Sequence, residues 1–536
     1  MNIKKDPAGI WGEYNKGLQF NETLDLNEKI KKHENFFLGR QWEGVNAPDL
    51  DKPVFNILKR VVNYFIAMLV SDDISINLSL FNRSMDSTDK INLEIVERQV
   101  RQVMEHNRFN ALIRDVLRDA AVDGDGTIHV YWDGSFDTGQ ESRGILRIDQ
   151  VDMANVFFGN PQVSDTQRQP YILIESRRNL ANVQEEMRRN GIPQEEWENL
   201  RADSNINDVF EEKLYDDKVT VITKYWREGE SVHCVKVTQN AVVRREHDTR
   251  LSLYPLCRMS WEKVKNCYHG QGVIEGLLPN QMAINKMAAL AQRFIRQQAF
   301  PRVFFDGTKL DQWVEGVKPL AVRGDPRGIV TTDSHSSSMS GQVGEYIDRF
   351  IENTKELMGA SDAALGNVKP DNTSAIISVQ KATAIPLELV RQSYYQLVED
   401  FVRICVDQMK EYYGVRTVLA DRDDGEQDEV SFDFATLKDY VLEYNVDIGQ
   451  AAYWSEMSAV QSLDNLYTKG LVDPVTYLKS IPDNLIPNKS KIVADAEEKQ
   501  QMQEEMAAQQ QAEAMMAQTM AMEGGGAGEV PQVQTM

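Results

Sequence analysis

Between residues 343 and 413, apolar side chains recur at three- and four-residue steps in two long runs. In the first, Val343, Ile347, Phe350, Ile351 and Met358 share one face and Glu345, Asp348, Arg349, Glu352 and Lys355 occupy the others, which predicts an amphipathic helix. In the second, residues 374–413, the stripe is Val390, Tyr394, Leu397, Phe401, Cys405 and Tyr412. A helix of that length spans roughly 55 to 60 Å. Pro386 interrupts it, removing a backbone donor and crowding the preceding turn, so a kink is expected near residues 382–386. Residues 359–373 (GASDAALGNVKPDNT) separate the two helices with turn formers, Gly366, Asn367, Pro370, Asp371 and Asn372. A loop held at the junction of two rods is placed to touch something else.

The rest of the chain divides by period. Residues 1–120 read as largely helical, with 56–69 and 95–119 the clearest stretches. Arg98, Arg101, Arg108, Arg114 and Arg118 decorate the second of these, more readily as a solvated face paired with Glu94, Glu97, Glu105 and Asp115 than as a nucleic-acid stripe. From Thr127 the period falls to two. Strands are expected at 127–132, 144–148, 155–158, 171–175, 219–226 and 231–238, with a helix at 179–189 and a turn at Glu228, Gly229 and Glu230. A long helix at 273–299 follows His269, Gly270, Gln271 and Gly272. Its glycines are spaced G-x-G-x-x-x-G, which is not a dinucleotide fingerprint and reads as a hand-over from sheet to helix. Residues 301–335 form a compact insert between two long helices, with strands at 302–305 and 328–332, a short helix at 309–314 and a further extended piece at 319–322. Strands return at 416–419, 430–432 and 444–448, then helices at 453–469 and 474–481, where Asp473 caps and Pro474 fits the first turn. Residues 491–522 predict an exposed helix rich in Gln, Ala, Met and Glu, and disorder is expected from Glu523.

With 536 residues, 42% hydrophobic and 26% charged, the chain can bury a large core, and its length suggests about three domains. The opening segment has no apolar h-region, and the apolar run at 61–70 is about half a membrane span, so neither a signal peptide nor a membrane partner is expected. Cys234, Cys257, Cys267 and Cys405 lack a CxxC pair and read as reduced thiols. A net charge of -23 argues against tight DNA binding but allows passing contact with a sliding polymer. The acidic stretches 123–126 and 421–426 fail the calcium-loop spacing at their sixth or twelfth positions and are expected to be solvated turns. His335 beside Ser336, Ser337 and Ser338 has no fixed geometry for nucleophilic catalysis. No cofactor, metal or catalytic residue is expected.

The order of parts resembles the portal, or head-to-tail connector, proteins of tailed bacteriophages. The resemblance rests on Gln41-Trp42 with residues 52–56 (KPVFN), residues 124–133 (GDGTIHVYWD) with 155–158 (NVFF), 270–285 (GQGVIEGLLPNQMAIN), 358–373 and 463–482. It implies a predominantly helical α+β portal fold: wing at 1–270 and 414–450, first stem helix at 271–300, clip at 301–341, second stem helix at 342–358, tunnel loop at 359–373, long kinked helix at 374–413, crown and C-terminal helices at 451–522, and a disordered tail at 523–536. It further implies a homo-oligomeric ring, usually of twelve subunits, at one capsid vertex of the virion after assembly in the host cytoplasm. Double-stranded DNA would pass through without sequence specificity, and the terminase large subunit, a head-tail adaptor and the major capsid or scaffold protein would be the partners. DNA-facing candidates in the tunnel loop are Asn367, Val368, Lys369, Pro370, Asp371 and Asn372. Lys369 would touch phosphate transiently, with Asp362 and Asp371 keeping the contact weak, or would serve only solubility at a loop tip. Lys309, Lys318, Arg323 and Arg327 in the clip would dock an acidic motor or adaptor surface, or form a solvated face.

Two other readings compete. Another ring-forming adaptor or scaffold protein would not need the helix, knob, helix, loop and long-helix order. A packaging-motor enzyme would need a phosphate-binding G-x-x-x-x-G-K-[ST] loop or histidines at metal-ligand spacing, and the chain has neither.

Overall fold

A computed structural model describes residues 3–48, 50–70, 74–81, 86–140, 142–203, 217–299, 303–305, 330–332, 340–357, 387–421, 427–448, 453–469, 471–481, 492–493 and 496. The protein is mixed α+β, with about 51% helix and 22% strand. In chain order the described elements begin with α1 (Pro7–Thr23), α2 (Leu26–Leu38), α3 (Ile57–Val70), β1 (Ile74–Leu80), α4 (Ser87–His106), α5 (Phe109–Asp123), β2 (Asp125–Asp133), β3 (Ile145–Gln150), β4 (Val156–Phe158) and β5 (Tyr171–Asn179). There follow α6 (Leu180–Arg189), α7 (Gln194–Glu198), β6 (Lys218–Glu228), β7 (Ser231–Val237), β8 (Val242–Asp248), β9 (Leu256–Ser260), α8 (Leu278–Ala299), β10 (Val303–Phe305), β11 (Val330–Thr332), α9 (Ser340–Leu357) and α10 (Glu388–Tyr412). The series closes with β12 (Val415–Asp421), β13 (Gln427–Asp433), β14 (Leu442–Ile448), α11 (Tyr453–Thr468) and α12 (Pro474–Ser480).

The chain falls into two compact units, one of Met1–Ala420 with Asp428–Ile448, the other of Asp421–Gln427 with Gly449–Met536. In the smaller unit, α12 begins as its sequence anticipates: the Asp473 carboxylate accepts from the Thr476 N–H at 3.1 Å, and Pro474 sits in the first turn. Tyr467 and Tyr477 stack within it at 4.8 Å.

The mast of the larger unit is α10. Val390, Tyr394, Leu397, Phe401 and Cys405 are all buried, as their spacing anticipates, and α3, α4, α5, β2 and β9 share the same core. Phe401 is fully buried and stacks on Phe109 of α5 at 4.6 Å. Polar groups along α10 are used too: the Gln408 amide donates to the Val130 carbonyl at 2.6 Å, and the Asp407 carboxylate accepts from the N–H groups of Ser252 and Leu253 at 2.9 and 3.0 Å. Residues 374–386, including Pro386 and its expected kink, lie outside the described residues.

Two sheets lean on this core. β3-β2-β9 is antiparallel, and β4-β5-β6-β7-β8 is an antiparallel meander with Gly229, at φ +68°, turning β6 into β7. On the meander, α1 buries Ile10 and Tyr14 against Phe157 and Trp226. Lys224 is fully buried there, its ammonium paired with Glu13 at 2.5 Å and donating to the Lys4 carbonyl at 2.7 Å, so the charge is matched where water cannot reach it.

Two expectations need correction. The helix expected over 95–119 is two helices, because the Asn107 amide donates to the carbonyls of Val103 and Leu146 at 2.8 and 3.0 Å and Arg108 turns left-handed at φ 52°. The N-terminal region also contains a strand that the helical reading omits: β1 pairs with β14 over seven residues, from Ile74 opposite Ile448 to Leu80 opposite Leu442.

Phe401→Ala should lower unfolding stability by about 3–5 kcal/mol in denaturant titration. Leu389→Ala, on the 75% exposed flank of the same helix, should stay within about 0.5 kcal/mol of the parent.

Candidate functional site

The residues expected to meet DNA (Asn367, Val368, Lys369, Pro370, Asp371 and Asn372), those expected to dock a motor (Lys309, Lys318, Arg323 and Arg327), and His335 with its serines all lie outside the described residues. What the structure describes is the pair of rods that carries them. α8 and α9, of 22 and 18 residues, pack together, and Asn280 near the start of one reaches Thr354 near the end of the other, so they run antiparallel. Between them, β10 and β11 pair antiparallel, Val303 opposite Thr332.

The base of α8 is fixed by buried amides. Gln281 donates to the Phe55 carbonyl at 2.6 Å and to Asn285 Oδ1 at 3.0 Å, and its own oxygen accepts from the Ile57 N–H at 3.2 Å. Asn285 donates to Gln41 Oε1 at 2.5 Å, and Gln41 donates to the Phe36 carbonyl at 3.0 Å. Three of the sequence stretches that carry the family resemblance, at Gln41, at Phe55 and at 281–285, therefore meet in one network. Their contact has no signal in the sequence, since amides 244 positions apart leave no periodic pattern.

Just before α8 the backbone is threaded tightly. The Val273 and Trp261 N–H groups donate to the carbonyls of Ala121 and Gly124, each at 2.9 Å. A Cβ on Gly270 or Gly272 would lie within 2.8 Å of a backbone oxygen of that same turn. The glycines serve backbone contact between the end of α5 and the entry to α8, and no phosphate cradle is needed to explain them.

The expectation of a solvated turn at 123–126 fails at Asp125. Its carboxylate is buried and accepts from Arg258 Nη2 at 2.9 Å, Ser260 Oγ at 2.8 Å and the Gly270 N–H at 2.9 Å, with His269 Nδ1 at 3.4 Å. Burial alone would raise its pKa, but Arg258, His269 and the Gly270 N–H outweigh burial and hold the carboxyl below its ordinary range. Two residues earlier the balance reverses. Burial, joined by Asp119, Asp152 and Glu34, pushes Asp123 up to about 9, with Arg118 only partly offsetting them. Asp123 Oδ1 has no hydrogen-bond partner. Asp119 rises to about 6, chiefly through burial.

Arg118 spends its charge here, paired with Glu34 and with Asp119 at 3.1 Å, while Arg114 donates to its own helix at the Asn110 carbonyl. Arg118 is thus paired within the chain, and Arg114 lies exposed on α5. Residues 422–426 of the second acidic stretch lie outside the described residues. Among the described residues, no helix is long and apolar enough to cross a membrane.

On the outer surface, both rods carry exposed apolar side chains, as do other parts of the unit such as Phe55, Phe81, Ile91 and Leu389. α8 buries Gln281, Ile284, Asn285, Ala288 and Ala289 along one side and exposes Met282, Leu290 and Ile295 at 44%, 46% and 59%. On α9 the stripe residues Ile347, Phe350 and Ile351 are only half-buried, and Tyr346 is 57% exposed. No protein-family model and no curated protein matches this chain.

Substitutions at the two neighbouring aspartates should act in opposite directions. Asp125→Asn removes the charge facing buried Arg258 and should lower stability by about 3–5 kcal/mol. Asp125 has a depressed folded pKa, so its stabilisation is complete above the unfolded value near 3.9 and is lost as pH falls. Asp123 keeps its proton in the folded state to about 9 but releases it near 4 when unfolded, so the folded state is penalised as pH rises across that window. Asp123→Asn should therefore stabilise, with a gain that grows by on the order of 1–4 kcal/mol between about pH 5 and pH 8 in thermal or denaturant unfolding.

Proposed function

We propose that this chain is a portal subunit: it closes into a ring at one capsid vertex, conducts double-stranded DNA during packaging and ejection, and docks the terminase motor and a head-tail adaptor. The observation that carries the reading is the unfinished burial of the rods. An amphipathic helix whose apolar stripe stays half-exposed in its own subunit gains from a partner that covers it. α8 and α9 stand beside each other with Met282, Leu290, Ile295 and Tyr346 uncovered, while their bases are locked by buried hydrogen bonds.

Charge supports a head-to-tail contact. α8 exposes Lys286 and Arg293, whereas α9 exposes Glu345, Asp348 and Glu352 against the single exposed cation Arg349 among its described side chains. The α8 of one subunit then suits the α9 of the next, and a heterologous contact of that kind closes into a ring when its rotation permits. In sequence the insert at 301–341 comes between the rods, where the portal reading expects the motor-docking clip, and Asn367 to Asn372 would line the bore. A surplus of acid suits a bore that must not hold DNA.

The purified full-length chain should form rings in negative stain and a multimeric mass, and a monodisperse monomer under all conditions overturns the reading. Leu290→Asp with Ile295→Asp should reduce the assembled mass while leaving subunit stability within about 1 kcal/mol, because both side chains are already in water. Deleting residues 366–372 should preserve rings and impair DNA packaging or retention. Loss of assembly in that deletion would make the loop a structural part.

A further inference from the structure

Strand register in the five-stranded meander gathers three metal-ligating side chains that are scattered in sequence. Trp226 of β6 lies opposite His233 of β7, so Glu228, two residues on, shares their face. His233 in turn lies opposite Asp248 of β8, and Glu246 falls in the stretch of β8 where the register shifts, between the Cys234–His247 and Lys236–Arg244 pairs, an irregularity that leaves its carboxylate beside His233. One ligand atom from each of Glu228, His233 and Glu246 falls within 4.8 Å of the other two.

The three are oriented by their surroundings. The Trp226 ring stacks on His233 at 5.7 Å, and its indole N–H donates to Glu228 at 3.4 Å. His233 Nδ1 is buried, has no hydrogen-bond partner, and stands 3.6 Å from Glu246 Oε1. The two carboxylates already share a cation that the chain itself provides: Lys5 Nζ is 3.0 Å from Glu228 and 2.7 Å from Glu246. Lys5 belongs to the extended segment ahead of α1, and that helix is capped separately by Asp6, which accepts from the Gly9 N–H at 2.9 Å. The lysine side chain can leave without unwinding the helix.

We propose that Glu228, His233 and Glu246 form a binding site for a divalent transition metal of the zinc class, for which the Lys5 ammonium is the resident competitor. Two carboxylates and one imidazole are a donor set that suits zinc and disfavours magnesium, which prefers all-oxygen surroundings. Three ligands on a tetrahedral zinc lie roughly 3.4 Å apart, given bonds of about 2.1 Å. The Glu246–His233 separation of 3.6 Å is already there, and ordinary rotamer changes close the rest. Strand pairing fixes the backbone at Glu228 and His233, opposite Ser231 and Trp226. The site belongs to the meander and does not depend on the portal reading.

Zinc titrated by calorimetry into the untagged full-length chain should bind one ion per chain, with excess magnesium failing to compete. His233→Ala should weaken binding by about tenfold or more, since even an outer-shell partner is worth that much. Glu246→Gln serves the same purpose if the first variant folds poorly by circular dichroism. Lys5→Met should tighten binding, the result that distinguishes this site from any other. The proposal is overturned by no zinc binding in either the parent or Lys5→Met, by affinity unchanged in both His233→Ala and Glu246→Gln, or by equal competition from magnesium.

Discussion

A carboxylate taken out of water must be matched on every side, and the Asp125 carboxylate sets the geometry of the larger unit by meeting that demand. Its partners come from two places: Arg258 and Ser260 from β9, and the N–H of Gly270 with the adjacent His269 from the connection. Asp125 itself opens β2, so one charge joins the strand that follows α5, the strand beside it and the peptide that becomes α8. The Arg258 guanidinium also donates to the Ser164 carbonyl at 2.8 Å and lies over the Phe158 ring, which extends the tie to the other sheet. A neutral side chain at position 125 would leave Arg258 charged and 5% exposed without a counter-ion.

From that knot the rods inherit a fixed direction. α8 leaves a loop whose backbone is pressed against Ala121 and Gly124, and its first turns are fastened by Gln281 and Asn285 to Gln41 and Phe55. Amide pairs of this kind, buried and mutually satisfied, specify one arrangement where apolar packing alone would tolerate several. The outer faces are treated differently. The chain satisfies its polar groups at the base of the rods and leaves apolar groups exposed along them. Such a division is coherent if the remaining partner is another copy bearing the same base.

Periodicity made most of the secondary structure legible and little of its assembly. The stripe of α10 is readable because Val390, Tyr394, Leu397, Phe401 and Cys405 repeat at helical steps, and β4 to β7 are readable as short apolar runs between turns, whereas the charged β8 and the five-residue β9 are absent from the sequence expectations. β1 was not readable: Ile74, Ile76 and Leu78 alternate, but their partner strand comes more than 360 residues later, and no local signal reports a pairing at that distance. The break at Asn107 was missed because a side chain that caps a helix also occurs within helices, and only the contact with Leu146 decides between the two. Asp125 was noticed and misjudged. An acidic Gly-rich stretch ordinarily faces water, and the arginine that changes its environment lies 133 positions away. Glu228, His233 and Glu246 follow no metal-ligand spacing along the chain, because strand register and not loop length brings them together.

The charge balance follows the same logic. Several cations are consumed inside the subunit: Arg258 on Asp125, Lys224 on Glu13, Lys236 on Glu186 at 2.9 Å, and Arg118 between Glu34 and Asp119. Each internal pair leaves the net charge of -23 unchanged but withdraws a cation from the surface. A phosphate backbone is gripped by clusters of unengaged lysine and arginine, so the relevant quantity is the supply of free cations and not the total of 59. Spending basic side chains on internal pairs therefore helps to set the scaffold that aims the rods, and it takes those cations out of the surface supply.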